Sequence, residues 1–200
     1  LASLSAQIKP LVGTYLGDNQ RNFYGNVAPS KLRVKWKTYL GSGKTTFGNG
    51  DTRTWKGAGW TGQPLVIQEG EELYLIQGTL SHHVKKIRAR DGKVIWSTSV
   101  GDVIKGTPTF MDVGGPAESR YVLIVGSRSG YGQHWRTGTA HSLHGVSYLS
   151  GKILWRHNSV ATASNSRDVD ASAIDLGGKA AIPLENGFFT VFSPDARKAS

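Results

Sequence analysis

Cysteine is absent from the 200 residues, which excludes both a disulfide framework and a thiolate metal site. That absence suits a protein of the periplasm, the cell surface or the extracellular space. No run of about 18 apolar residues occurs, so no transmembrane segment is expected. Stretches of 3.6-residue periodicity are missing too, and with them the pattern of a helical bundle. The opening "LASLSAQIKP" has neither an initiator Met nor a full signal-peptide pattern, as expected if a leader has been removed or the sequence starts inside a longer chain. Acidic residues are few: 14 Asp and Glu face 24 Lys and Arg, and the net +10 would favour an anionic partner. The positive charges are scattered, however. The groupings Lys31–Lys35 and Lys85–Arg90 alternate as the wet face of a strand does, and no nucleic-acid-binding fold signature accompanies them.

What is present is glycine, 26 residues of it, with six Trp and seven Tyr, a composition of many turns and large flat side chains that points to an all-β fold. Self-similarity sharpens this. "KKIRARDGKVIW" (85–96) and "HGVSYLSGKILW" (144–155) share a small-residue turn, Gly-Lys, two aliphatics and Trp. Trp96 and Trp155 lie 59 residues apart, and Trp36, closing "KLRVKW", lies 60 before Trp96. Apolar runs keep step: "LYLIQG", "YVLIVGS" and "AAIPLENG", each preceded by a shorter one, "GQPLVI", "GTPTFM" and "DASAIDL". Each unit reads as four short strands, the last bearing Trp. Four antiparallel strands recurring at a fixed interval are the sequence form of a β-propeller blade. The expected organisation is an irregular or extended segment, 1–29, followed by blades at 30–96, 97–155 and a truncated 156–200. Trp36, Trp96 and Trp155, with Gly92 and Gly151, are expected to dock neighbouring blades. Three blades cannot close a ring, so further blades of a longer chain, or another chain, are expected to complete it.

The segments Gly92–Trp96 and Gly151–Trp155 resemble the closing motif of PQQ-like (quinoprotein-type) β-propeller repeats, of the form A-x-D-x-x-T-G-K-x-x-W, and the resemblance covers residues 30–200. Where that motif has Asp, this chain has Arg88, Ser147 and Ser193; its Thr is replaced by Asp91, Ser150 and Ala196. The resemblance implies either a quinone dehydrogenase, in which PQQ and calcium do the redox chemistry, or a cofactor-free propeller serving in assembly or protein interaction.

The Gly43-Lys44-Thr45 triplet is not a phosphate-binding loop. A Walker A motif needs Gly six residues before its Lys, where this chain has Thr38, and no helical pattern follows. Gly41–Gly43 is instead expected to be part of a loop between blades. Equivalent loops, 54–64, 101–108 and 165–172, should converge at one mouth of the central channel. Their Lys56, Trp60, Gln63, Asp102, Lys105, Arg167, Asp168 and Asp170 form the candidate ligand-binding set, with ion pairing of Arg167 to Asp168 or Lys105 to Asp102 as the plain structural alternative. The series Asp168, Asp170, Ser172, Asp175 has the spacing of calcium ligands, but Ala173 stands where an EF-hand needs Gly, and no metal is expected. His82 and His141 occupy one repeat position, which explains them better than zinc does. An insert at 128–141 adds Tyr131, His134 and Trp135.

No adjacent-cysteine pair, haem-attachment motif or recognisable Ser/His/Asp set is present. The expectation is a non-catalytic binding or scaffold module without cofactor, whose partner is a protein. A PQQ-dependent dehydrogenase fragment and a carbohydrate- or anionic-polymer-binding propeller, the last resting on Trp55, Trp60, Trp135 and the positive charge, are the alternatives.

Overall fold

The computed structural model describes residues 7–22, 25, 28–47, 50–128, 141–159 and 167–198. Among these the strands are β1 (Ile8–Val12), β2 (Ser42–Thr46), β3 (Thr52–Lys56), β4 (Leu65–Glu69), β5 (Glu72–Gly78), β6 (His83–Arg88), β7 (Val94–Ser99), β8 (Thr109–Asp112), β9 (Tyr121–Gly126), β10 (Leu143–Ser147), β11 (Ile153–His157), β12 (Ile174–Asp175), β13 (Ala180–Pro183) and β14 (Phe189–Phe192). One helical turn, α1 (Ala117–Arg120), follows Pro116. The fold is all-β and antiparallel throughout. A first sheet has the order β1-β4-β5-β6-β7, a second β11-β10-β9-β8, and a third β12-β13-β14, with β2-β3 as a separate hairpin.

The three sheets are meanders of neighbouring strands, and two cores fill the spaces between them. The first core joins Leu65, Ile67, Ile76 and Val84 of sheet one to Leu123, Val125 and Val146 of sheet two. The second joins Met111, Val122, Ile124 and Leu143 to Ala180 and Ile182 of sheet three. Strand β9 shows why its sequence is continuously apolar: Leu123 and Val125 face one core, Val122 and Ile124 the other, so sheet two is buried on both sides.

The tryptophan repeat has a defined geometry. The Trp36 indole N–H donates to the Ala89 carbonyl at 2.8 Å, Trp96 to Tyr148 at 3.1 Å and Trp155 to Pro194 at 2.7 Å. Ala89 and Tyr148 lie in the turn before the last strand of sheets one and two, and Pro194 follows β14 of sheet three. Thr38 and Thr98 add hydroxyl bonds to the carbonyls of Gly92 and Gly151, both at 2.6 Å. These two glycines have φ of +74° and +76°, and a Cβ on either would strike the docked indole. In sheets one and two a β-bulge falls at the same place, around Ile95 and Leu154, beside Trp96 and Trp155. A bulge re-aims the neighbouring side chain, here toward the next sheet. The positions where the PQQ-like motif has Asp and Thr are locked differently in each turn: Arg88 makes a bidentate pair with Asp91, and Ser147 Oγ accepts from the Ser150 amide.

Three expectations are corrected. Residues 32–40, including the Trp36 segment, form no strand, since no described neighbour offers them a ladder; the segment is held by the Trp36 indole, the Thr38 hydroxyl and the Leu40 carbonyl. Ser42–Thr46 is not an interblade loop but pairs with Thr52–Lys56 in a hairpin, favoured by alternating Thr and closed by the Phe47–Asp51 backbone bond. Lys86 is not on a wet face. It is 4% exposed, ion-paired with Glu69, and its ammonium lies over the rings of Tyr148 and Tyr74 at 3.9 and 4.4 Å.

Within the N-terminal segment β1 pairs with β4 of sheet one. The chain then continues along the inner strands of the other sheets. Gly13 O accepts from Phe110 N at 2.8 Å, Thr14 bonds to Thr109 and Ala173, and Asn19 exchanges two bonds with Asp175.

Candidate functional site

The loops before β4, β8 and β12 lie edge to edge. Thr107 Oγ1 donates to Thr61 O at 2.8 Å and Ser172 Oγ to Thr107 O at 2.8 Å, so each loop is bonded to the one before it. Thr61 Oγ1 in turn donates to Lys105 O at 2.9 Å. The contacts are close enough that a Cβ on Gly59 or Gly106 would meet the backbone of Lys105 or Asp170.

Lys105 is the centre of what these loops enclose. Its ammonium is ion-paired with Asp168 and lies 2.8 Å from Asp170, and its Nζ is 5.6 Å from the centroid of the Trp60 ring. Glu185, between β13 and β14, brings a third carboxylate, and one oxygen from each of Asp168, Asp170 and Glu185 falls within 4.8 Å of the others. Burial pushes the Asp168 carboxyl up to about 7; the Lys105 bond opposes that shift, while the charges of Asp170 and Glu185 add to it. Burial acts against the charged Lys105, but Asp168 and Asp170 outweigh it and hold the ammonium above its usual range. One oxygen of Asp170, Oδ1, is buried and accepts no hydrogen bond from the described residues. Trp60 projects outward and is 72% exposed.

Beside Asp170 is a cavity of about 200 Å³ lined by Tyr15, Arg21, Thr61, Asp170, Ala171 and Ser172. Its far wall comes from the N-terminal segment, where Arg21 donates to Ser172 O at 2.9 Å and its guanidinium lies 5.8 Å from the Tyr15 ring. Leu16 and Arg21 flank this wall with left-handed backbone, φ 55° each.

Of the eight candidate residues, Trp60, Lys105, Asp168 and Asp170 come together. Gln63 lies next to them but holds the main chain: its Oε1 accepts from Leu16 N and its own N–H donates to Thr107. Arg167 is buried and donates to Asn158 Oδ1 at 3.3 Å. Lys56 is at the end of the hairpin, exposed, and paired in register with Ser42. Asp102 belongs to a different cluster. It accepts from Thr45 at 3.0 Å, is ion-paired with Arg128 at 3.0 Å and lies 3.8 Å from His82, so the expected Lys105–Asp102 pair is replaced by a clamp on the hairpin. Arg128 also donates to Thr46 O and covers the Phe47 ring. Tyr131, His134 and Trp135 lie outside the described residues.

Sequence reasoning missed Tyr15 and Arg21, which come from a segment read as extended or irregular, and Glu185, which sits in the turn between β13 and β14. A repeat alignment carries no signal for either, because neither belongs to an equivalent loop. No family model matches the chain, and no curated protein is similar to it by sequence. Among the described residues no helix is long and apolar enough to cross a membrane.

Proposed function

We propose that the chain is a non-catalytic β-propeller module of the cell envelope or extracellular space, acting in binding or scaffolding through the face on which Lys105 lies. Successive sheets are its blades. The observation that carries this reading is the threefold recurrence of one bond, from a Trp indole to the turn of the following sheet, with the inner loops meeting at one end. A contact repeated from one antiparallel sheet to the next is what the radial repetition of a propeller calls for. Its convergent loops, mixed charges and exposed indole are the features of a binding site. Other blades and a protein partner would complete the assembly.

Three carboxylates are oxygen donors of the kind calcium takes. The ammonium of Lys105 already lies on two of them, however, and the cavity of about 200 Å³ falls below the 300–1,000 Å³ of a typical cofactor pocket. This ion pairing and this size argue against PQQ with calcium on the Lys105 face. Titration with PQQ and Ca²⁺ while following tryptophan fluorescence should give no saturable quench; a saturable one, lost in Lys105→Ala, would return the protein to the enzyme class.

A further inference from the structure

We infer that the open edge of sheet three is completed by residues 32–40 of a second copy of this chain. This rests on the propeller reading and names the partner. Three observations carry it. First, sheet three lacks a strand that the other two sheets have. β6 pairs with the Trp strand β7 and β10 with β11, whereas β14, at the same repeat position, is the last strand of its sheet among the described residues. Exposure records the difference. Val84 and Lys86 of β6 are buried, as are Leu143 and Gly145 of β10, but their counterparts Phe189 and Val191 are 64% and 50% exposed. An edge of large apolar side chains with no charge of its own is a template for another strand.

Second, the chain carries such a strand without a sheet of its own. Trp36 and Thr38 hold the Ala89 and Gly92 carbonyls of sheet one as Trp96 and Thr98 of β7 hold those of Tyr148 and Gly151 in sheet two. Residues 36–40 also alternate between half-buried and exposed, as a strand does. Val34 stands at the repeat position of Val94 and Ile153, which are half-buried in their sheets, yet it is 75% exposed.

Third, sheet one is open on the side that would receive sheet three. Leu73 is exposed and Leu75 half-buried, whereas Leu123, the counterpart of Leu75 in sheet two, is covered by sheet one. Sheet two stands between sheets one and three, so the segment held on sheet one and the edge of β14 lie on opposite sides of it, and the pairing runs between molecules. The contact is heterologous, one surface of each copy meeting a different surface of the next. Two copies supply six sheets, within the range of closed propellers. The β6–β7 register carried over to β14 sets Trp36 opposite Val191, Lys37 opposite Thr190 and Thr38 opposite Phe189.

The test is light scattering behind a sizing column with the 200-residue chain at about 100 μM. A mass of at least twice that of the chain is expected, and of twice if the ring closes. Val34→Pro on the segment and Val191→Lys on the edge should each give a monomer with unchanged circular dichroism, because both side chains are exposed. The chain has no cysteine, so linkage can be read cleanly. A mixture of Lys37→Cys and Thr190→Cys chains should join one variant to the other on oxidation, since facing residues of an antiparallel ladder fall within disulfide reach. The inference is overturned if the chain is monomeric at that concentration, which leaves the edge to a strand of a different protein. It is equally overturned if folded Val34→Pro keeps the wild-type mass, or if Thr190→Cys links only to itself, which would mean that two β14 edges pair. Melting of Trp96→Ala separates the two levels. A large drop there in a monomeric chain removes the second copy and leaves the propeller; no drop removes the propeller reading itself.

Discussion

The junction between sheets one and two and that between sheets two and three use the same bond over different fillings. At the first, the residue opposite Trp96 is Lys86, buried with Glu69 and set against Tyr148 and Tyr74. At the second, the residue opposite Trp155 is Gly145, and the indole occupies the space a side chain would need. The accessory contacts differ in parallel. Thr98 and Gly151 reinforce the first junction, while Trp155 and His157 instead pack on Phe192, at 5.5 and 6.4 Å between ring centroids. Arg197 stands at the place of Gly151 and pairs with Asp195. The lesson is that the indole N–H bond and its turn are the fixed part, and the volume beneath the ring can be met by a paired charge or by the ring itself.

Breaking the fixed part should have the largest effect. Trp96→Ala and Trp155→Ala should each cost about 3–5 kcal/mol in urea unfolding, and similar values at both junctions would support the common role. A near-zero cost at either would show that the filling, not the bond, holds that junction.

The buried titratable groups come next. Burial holds His144 neutral, down to about 4, so stability is present above its ordinary value of 6.5 and is lost as pH falls through that window. Asp168 acts oppositely: its raised carboxyl favours the folded state when protonated, and that gain is lost as pH rises from 3.8 to about 7. The swing is at most about 3 kcal/mol for His144 and about 4 kcal/mol for Asp168. The wild-type midpoint should therefore be nearly flat from pH 4 to 7. His144→Gln should become less stable as pH rises and Asp168→Asn more stable, read as urea midpoints across that range.

The filling of the first junction is a finer test. Glu69→Gln leaves the Lys86 charge buried without its partner and should cost about 2 kcal/mol, less than a fully buried pair because Glu69 reaches solvent, while Lys86→Met should be near neutral. The smallest effect belongs to Thr98→Val, which deletes one bond and should cost about 1 kcal/mol; the equivalent change at the second junction, His157→Val, should act through Phe192 packing alone.

The meanders were legible because their signals are local: Val-Leu-Ile-Val in β9, the Gly-Lys turns and the Trp interval all lie within single repeats. The meeting of Trp60, Asp168 and Asp170 at Lys105 has a related reason, since equivalent loop positions predict convergence. What failed was non-repeating. The hairpin lies outside the repeated pattern, and the Asp102 clamp depends on Arg128, the first residue of the 128–141 insert, and on Thr45 of that hairpin. Lys86 was hidden because alternation of charge with apolar residues describes one sheet, whereas a second sheet packed over its face turns the wet side dry.

The N-terminal segment has a consequence for how the polypeptide matures. Thr14 bonds to residues 95 and 159 positions further on, and Asn19 to one 156 further on. On the ribosome these groups emerge before their partners and must wait, solvated, until the third sheet has been translated, because long loops have to close before such contacts can form. The segment around Thr14 and Asn19 is thus fastened only after the third sheet exists, and its protection from hydrogen exchange should mark the moment when these three sheets have come together.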